Sequence, residues 1–299
     1  MSVARVSGGL AQGPERRISR GLWRDAASRL VRTGPGVLGL VLIGLFVGTA
    51  LLAPLIAPYS ASTQDLATRL QLPSAAHLMG TDLLGRDEFS RVLYGAQISL
   101  IVGVSAVAMG LVIGGLIGAA AGALGGAVDA VLMRGVDVML AIPGILLAIG
   151  IVTWLDRGLP QIMLAVGVSN APIFARLLRG SLLPLRDADY VVAARSIGAP
   201  RGRLLLRHMV PNALTPLIVQ ATLALATSII DVAGLGFLGL GPPDPSTAEW
   251  GTMLTDSTQF LRLAPYLIFF PGAAIVISAI GFNLLGDGLR ESIDPRLKR

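Results

Sequence analysis

The chain has 299 residues, of which 53% are hydrophobic and 14% charged, and its mean hydropathy is +0.72. This composition excludes an ordinary soluble domain and predicts an all-α, polytopic membrane protein with about six transmembrane helices. The lack of cysteine excludes disulfides and thiolate metal sites, and two histidines are too few for a histidine-built metal site. The net charge of +6 comes from arginines at the ends of apolar runs, which indicates membrane topology rather than nucleic-acid binding.

The N-terminal part of the chain combines a polar, arginine-rich segment with a long apolar run. Residues 22–30 predict a short amphipathic helix at the membrane surface. The apolar run at residues 37–56 has the length of a full span, so we expect an uncleaved first transmembrane helix rather than a signal peptide. The chain thereby divides into an N-terminal segment, a first span with its outer loop, a core and a tail: residues 1–36, 37–97, 98–289 and 290–299.

The outer loop carries a string dense in charge and glycine at residues 77–100, HLMGTDLLGRDEFSRVLYGAQISL. Its carboxylates and arginines can pair with one another and shape the loop. We favour this structural interpretation over direct contact with a substrate.

The second predicted span, residues 98–124, carries a stripe of glycines at every fourth position. Such a stripe lets a neighbouring helix approach backbone to backbone. It predicts tight packing inside the bundle or against a sister subunit, rather than the lining of a pore. The stripe consists of Gly110, Gly114, Gly118, Gly122 and Gly126.

The third predicted span, residues 128–155, begins with charged residues and then becomes wholly apolar. Asp137 follows Arg134 by three positions, so the two side chains are expected to pair on one helical face. Pro143 is expected to kink this helix because proline removes one backbone hydrogen bond. The remaining predicted spans cover residues 159–185, 213–230 and 264–285.

A basic segment at residues 187–212, DADYVVAARSIGAPRGRLLLRHMVPN, lies between the fourth and fifth spans. It predicts two short helices joined at Gly198, since glycine reaches positive φ without steric cost. Pro200 suits the first position of the second helix, and Pro211 would close the unit. Such a unit fits either a docking element for a soluble partner or a basic loop that only fixes topology. One face of the first helix is expected to hold Tyr190, Ala194 and Ile197.

The spacing within the 187–212 segment resembles the EAA loop of ABC importer permeases, which forms a coupling helix against the ATP-binding subunit. The residues that carry this resemblance are Ala193, Ala194, Arg195, Gly198, Ala199, Arg207, His208, Pro211 and Asn212. Val192 departs from the pattern, because the family usually has glutamate there. This replacement removes a charged contact with the partner or with nearby Arg195.

Several other strings resemble the dipeptide/oligopeptide/nickel branch of the same family. They are GTDLLGRDEFSR before the second span, DAVLMRGVD at the start of the third, FLGLG and WG after the fifth, and GDGLRESIDPRL near the C-terminus. The resemblance runs from about residue 77 onward.

The resemblance implies a type I ABC importer permease fold in the cell (inner) membrane, with both termini in the cytoplasm. It also implies a second permease subunit, two ATP-binding subunits and an extracytoplasmic solute-binding protein as partners. ATP and Mg²⁺ would bind to those partners, and the permease itself would hold no cofactor. Peptides are the expected cargo, with nickel, glutathione and other small solutes as alternatives.

The sequence shows no site that could supply the energy for transport by the chain alone. It has no phosphate-binding loop, its only lysine is Lys298, and no catalytic set of side chains is visible. Energy must therefore come from a partner or from an ion gradient. An ion-coupled secondary transporter needs carboxylates buried in its spans, and the nearest candidate is Asp231 at the outer end of the fifth span. A membrane scaffold without transport is a third class.

Asp231 has two interpretations of its own. Its carboxylate could line the substrate path and bind the cationic amino end of a peptide. It could also be an interfacial acid that is solvated or paired with Arg262, which is the interpretation that we favour.

The distribution of basic residues gives an independent test of topology. With the N-terminus inside, only five of the 24 lysines and arginines lie outside: Arg69, Arg86, Arg91, Arg157 and Arg262. This asymmetry follows the positive-inside rule and predicts that the 187–212 segment faces the cytoplasm.

Overall fold

A computed structural model describes residues 27–293 as a bundle of helices, with a single isolated β-bridge between Thr81 and Asp87 in that range. The principal helices are α1 (Gly34–Ile56), α2 (Glu88–Leu124), α3 (Gly126–Ala141), α4 (Gly144–Leu155), α5 (Leu159–Leu182), α6 (Asp189–Ser196), α7 (Val210–Leu235), α8 (Trp250–Ser257) and α9 (Tyr266–Ile293). Most of the predicted N-terminal segment and the last six residues of the tail lie outside the described residues. Of the amphipathic helix predicted at residues 22–30, only residues 27–30 are described, and they are helical.

Five helical stretches, containing α1, α2, α5, α7 and α9, are long and apolar enough to cross a membrane. The pair α3 and α4 makes a sixth span if the two are counted together. The predicted all-α, polytopic class with about six spans is therefore confirmed.

The third span is broken rather than kinked. The axes of α3 and α4 differ by 93°, and Pro143 precedes the first residue of α4 instead of lying inside one helix. A proline inside a helix clashes with the carbonyl four residues before it and leaves that carbonyl without a donor. Starting a new helix after Pro143 avoids both costs, so the bend lies at the predicted proline but breaks the helix in two instead of kinking it.

Helices α2 and α5 form the most extensive helix pair of the described chain. A Cβ added at Gly114 would lie 2.1 Å from the carbonyl oxygen of Ala171, and one added at Gly118 would lie 2.4 Å from that of Ala175. Gly110 and Gly122 also face α5 at close range. The glycine stripe therefore packs inside the bundle, which is one of the two alternatives predicted for it; the other was packing against a sister subunit.

Gly126 does not belong to the packed stripe. Helix α2 ends at Leu124, and Gly125 and Gly126 both adopt positive φ in the turn that follows. No heavy atom lies within 4 Å of a Cβ built on Gly126. The prediction for this fifth glycine was wrong because the helical spacing no longer applies beyond the turn.

Two ion pairs join α3 to α5. Arg176 donates to Asp137 over 2.6 Å, and Arg179 makes two hydrogen bonds to Asp129. The predicted pair between Arg134 and Asp137 is wrong, because the carboxylate of Asp137 is held by the neighbouring helix instead.

The remaining helices close the bundle around an aromatic centre. Helix α9 packs on α1 and α7, and α8 packs on α9. Phe46 of α1 lies 5.9 Å from Trp250 and 6.0 Å from Phe282, measured between ring centroids. The indole of Trp250 also donates to the carbonyl of Val92 over 3.0 Å, which fixes α8 against the outer end of α2.

Candidate functional site

The 187–212 segment contains a short helix that ends in a Schellman motif. The N–H of Gly198 donates to the carbonyl of Arg195 over 3.0 Å, and that of Ala199 donates to Ala194 over 3.1 Å. This pair of bonds satisfies two of the last carbonyls of α6, and it requires the residue after the helix cap to adopt left-handed backbone angles. Gly198 has φ +84°, as predicted for the joint of the two helices.

A buried valine anchors the first helix of the segment. Val191 is fully buried and packs with Leu204 and Met209 against the inner end of α5. Of the three residues predicted to share one face of this helix, Ala194 contacts the cluster, while Tyr190 and Ile197 are exposed. Helix α6 ends at Ser196, so Ile197 lies just beyond the regular helix on which the predicted face was based.

Apolar side chains lie on the outer surface of the segment, away from the bundle. Ile197 is 87% exposed, Leu206 is 71% exposed and Val192 is 44% exposed. Four exposed arginines share the segment with them: Arg195, Arg201, Arg203 and Arg207. An apolar surface surrounded by cationic groups at the end of a span is typical of a contact site for another macromolecule.

The second half of the segment continues into the fifth span. Residues 201–203 are α-helical, Leu204–Met209 form a π-helix, and Val210–Leu235 follow as α7. The expectation that Pro211 ends the unit was wrong, because a π-helical turn before it accommodates the missing N–H. The 40-residue stretch from Arg201 to Leu240 continues without a gap through the fifth span, and its backbone leaves helical geometry only at Gly239, where φ is +77°.

Asn212 joins the two halves of the segment. Its side-chain amide donates to the backbone carbonyl of His208 over 2.6 Å and to the hydroxyl of Tyr190 over 3.4 Å. Arg195 donates to the carbonyl of Arg186 over 3.4 Å. Val192 faces solvent, so the position where the family usually has glutamate lies on the outer surface of α6.

At the opposite end of the bundle, the charged outer string is paired internally. Asp82 accepts from Arg86 and lies 3.7 Å from the guanidinium of Arg91. Asp87 caps α2 and lies 2.9 Å from the ring of His77. All of these side chains except that of His77 are buried, and the predicted pairing of carboxylates with arginines in the string is confirmed.

Glu249 has a role that the sequence analysis missed. Its carboxylate accepts from the backbone N–H groups of Gly251 and Thr252 and so caps α8. Burial raises the pKa of Glu249 to about 7, although the two amide donors oppose this shift. An acidic residue directly before the WGT start of α8 was the available signal.

Asp231 lies half-buried on a polar face of α7. No arginine forms an ion pair with it in the part of the chain that the structure describes, so of the two favoured alternatives, solvation or pairing with Arg262, the pairing is not found there. Gln220 and Thr227 share this helical face, because the spacings of seven and four residues bring all three into one stripe. Gln220 lines two adjoining cavities of about 470 and 450 Å³ between α5 and α7.

Comparisons with known proteins agree with these features. Residues 110–299 match the family described as "Binding-protein-dependent transport system inner membrane component", and residues 21–73 match the "N-terminal TM domain of oligopeptide transport permease C".

Three relatives illustrate the similarity over nearly the whole chain. The dipeptide transport system permease protein DppC of Alkalihalophilus pseudofirmus is 44% identical over 276 residues, which cover 92% of this chain and 90% of the relative. The oligopeptide transport system permease protein OppC of Bacillus subtilis is 39% identical, with coverages of 94% and 92%. The glutathione transport system permease protein GsiD of Escherichia coli is 43% identical, with coverages of 92% and 91%.

The matched regions include the 187–212 segment, the glycine stripe and the spans that follow. They do not support the ion-coupled secondary transporter that the sequence left as an alternative. The chain is a multi-pass membrane protein and belongs to the family of inner-membrane permease components of binding-protein-dependent ABC importers.

Proposed function

We propose that the chain is a permease subunit that imports small peptides and is driven through its 187–212 segment by ATP-binding subunits. In this assembly a second permease subunit completes the translocation path, and an extracytoplasmic binding protein delivers the solute. Two ATP-binding subunits hold ATP and Mg²⁺, and the chain itself has no ATPase or other enzymatic site.

The observation that carries the coupling role is the exposed apolar surface of the 187–212 segment. Ile197 is exposed at a turn whose backbone hydrogen bonds are satisfied, and Leu206 is exposed on the π-helical stretch that follows, so the surface is preformed. Burying such side chains against a partner removes apolar area from water, which is favourable by about 25 cal/mol per Å². The arginines around them supply charge complementarity to an acidic rim.

The mounting of the segment explains how movement of a partner would reach the membrane. Val191 fixes α6 to the end of α5, and the helical stretch that begins at Arg201 continues directly as the fifth span. A force applied at the turn of Gly198 would therefore be transmitted to two spans, α5 and α7. Closure of the ATP-binding subunits would rotate these helices as rigid bodies between inward-open and outward-open states.

The names of the relatives support a peptide cargo. One is named for dipeptide, another for oligopeptide and a third for glutathione transport, and all three solutes contain peptide bonds. The polar stripe of Gln220, Thr227 and Asp231 offers an amide, a hydroxyl and a carboxylate along an apolar span. These groups match the donors and acceptors of a peptide and its cationic amino end.

The coupling role is tested by co-purification of the ATP-binding subunits with two variants. Ile197→Glu places a charge in the proposed contact and is expected to abolish co-purification. Leu72→Glu, at an outer-loop position that is 67% exposed, is the matched control and is expected to retain it. Equal recovery of the ATP-binding subunits with both variants would overturn the coupling assignment.

A further inference from the structure

A cationic cavity lies where the second and fourth spans end. It has a volume of about 420 Å³ and is lined by Arg186, Arg195 and Arg201, with Asp187 as its one carboxylate. Within residues 27–293, none of these three arginines forms an ion pair. The cavity therefore carries an excess of positive charge that side chains of the described chain leave unneutralised.

The nearby acid of α3 does not neutralise this charge. Asp129 feels the field of Arg186, but its two oxygens accept hydrogen bonds from Arg179. The guanidinium of Arg186 lies across Gly125, where a Cβ would come within 3.2 Å of its nitrogen. The glycine turn after α2 thus leaves room for this arginine at the rim of the cavity.

The other wall of the cavity is apolar and lies at the C-terminal end of the second span. It is formed by Ala123 and Leu124, the last residues of α2, together with Leu204, Leu205 and Met209. A cluster of arginines beside an apolar wall, at the end of two spans, matches a molecule with an anionic head and a hydrocarbon chain. Basic pockets between transmembrane helices bind anionic lipid head groups in this way.

We propose that this cavity binds an anionic phospholipid of the surrounding membrane, with the phosphodiester at Arg186 and Arg201 and an acyl chain along Leu124. Arginine suits this role because its planar guanidinium donates two hydrogen bonds to one phosphate. The lipid would thereby brace the 187–212 segment against the ends of α2 and α5. The proposal concerns a lipid contact of this chain and does not depend on its cargo or on its ATP-binding partners.

The test is native mass spectrometry of the full-length chain, without partner subunits, in micelles doped with equal amounts of phosphatidylglycerol and phosphatidylcholine. The wild-type chain is expected to retain phosphatidylglycerol in preference, and this preference is expected to weaken as salt is raised. The double variant Arg186→Gln/Arg201→Gln is expected to lose about thirtyfold in preference, or about fivefold per arginine. Arg203→Gln, which removes a charge from the same helical turn outside the cavity, is the matched control and is expected to keep the preference.

Two results would overturn the proposal. One is a wild-type chain that retains both lipids equally, a result that requires no variant to fold. The other is an unchanged lipid preference in the double variant. If the double variant keeps its lipid preference but fails to bind the ATP-binding subunits, the cavity is a docking site for an acidic protein surface instead.

Discussion

At the scale of single residues, Gly198 is the position where sequence and structure agree most closely. Its φ of +84° closes the Schellman motif, and no heavy atom lies within 4 Å of a Cβ built there. A side chain at this position therefore meets no neighbour, and its cost comes only from the left-handed backbone. That requirement is local, which is why the sequence alone could predict it.

Replacement of Gly198 is expected to impair coupling without preventing membrane insertion. Gly198→Ala should cost about 1–2 kcal/mol in the turn, and Gly198→Val should cost more because its side chain is β-branched. ATP-driven uptake is expected to fall with alanine and to be lost with valine. Gly202→Ala is the control, since Gly202 has no positive φ and no close neighbour. Full uptake by a stably inserted Gly198→Val chain would contradict the coupling role.

Asp231 gives a second test at the residue scale. If its carboxylate binds the amino end of the peptide, Asp231→Asn removes a charged hydrogen bond worth about 1.5–3 kcal/mol. The KM for uptake of a dipeptide is then expected to rise about tenfold or more, while ATP hydrolysis by the partners is retained. Asp244→Asn, in the exposed loop before α8, is the control. Unchanged affinity and rate in the Asp231→Asn chain would end the proposal that this residue lines the path.

At the scale of elements, the helix boundaries decided which predictions succeeded. The glycine stripe was predictable because it repeats with helical spacing, yet its fifth member fell in a turn beyond the end of α2. Helix α6 ended at Ser196, before Ile197, which is the last residue of the face predicted for it. Val191 became the anchor through contacts with Leu204 and Met209, residues more than ten positions away, and a local pattern does not reveal such contacts.

The close packing of α2 on α5 makes adjacent glycines respond differently to the same change. Gly114→Ala places a methyl group 2.1 Å from a backbone oxygen, so the helices must separate at a cost of about 1–3 kcal/mol. Gly115→Ala meets no atom within 4 Å and is expected to be neutral or slightly stabilising. The midpoint of thermal unfolding in detergent measures both. A Gly114→Ala midpoint equal to that of Gly115→Ala would contradict the packing described here.

The cap of α8 predicts a pH dependence of stability. Burial raises the pKa of Glu249 from 4.5 to about 7, so the folded chain holds a proton that the unfolded chain releases over this window. The free energy of unfolding is therefore expected to fall as pH rises from about 4.5 to 7, by up to about 3 kcal/mol. Thermal unfolding at pH 5 and pH 7.5 tests this. Glu249→Gln is expected to make the dependence less steep, and an equally steep dependence in that variant would assign it to another group.

At the scale of the whole molecule, the sequence predicted the class, the number of spans and the family from composition and separated motifs. It did not predict how distant elements meet. Asp137 pairs with Arg176 of another helix rather than with Arg134 of its own, and the break at Pro143 turns the third span into two helices. These features depend on where a neighbouring helix happens to supply a partner, and local spacing carries no information about that.

In the function proposed above, the chain is a gate that is moved from one end. The 187–212 segment presents a preformed surface, and two spans continue from it into the bundle. The sequence has no phosphate-binding loop, which agrees with the proposal that separate ATP-binding subunits act on that surface.

The most direct test is uptake of a labelled dipeptide by proteoliposomes that contain this chain, with and without its partner subunits. We expect uphill uptake to require the partner subunits and ATP on the side of the 187–212 segment. This uptake is expected to persist when proton and sodium gradients are collapsed. Uphill uptake by the chain alone, driven by a proton or sodium gradient, would contradict this expectation.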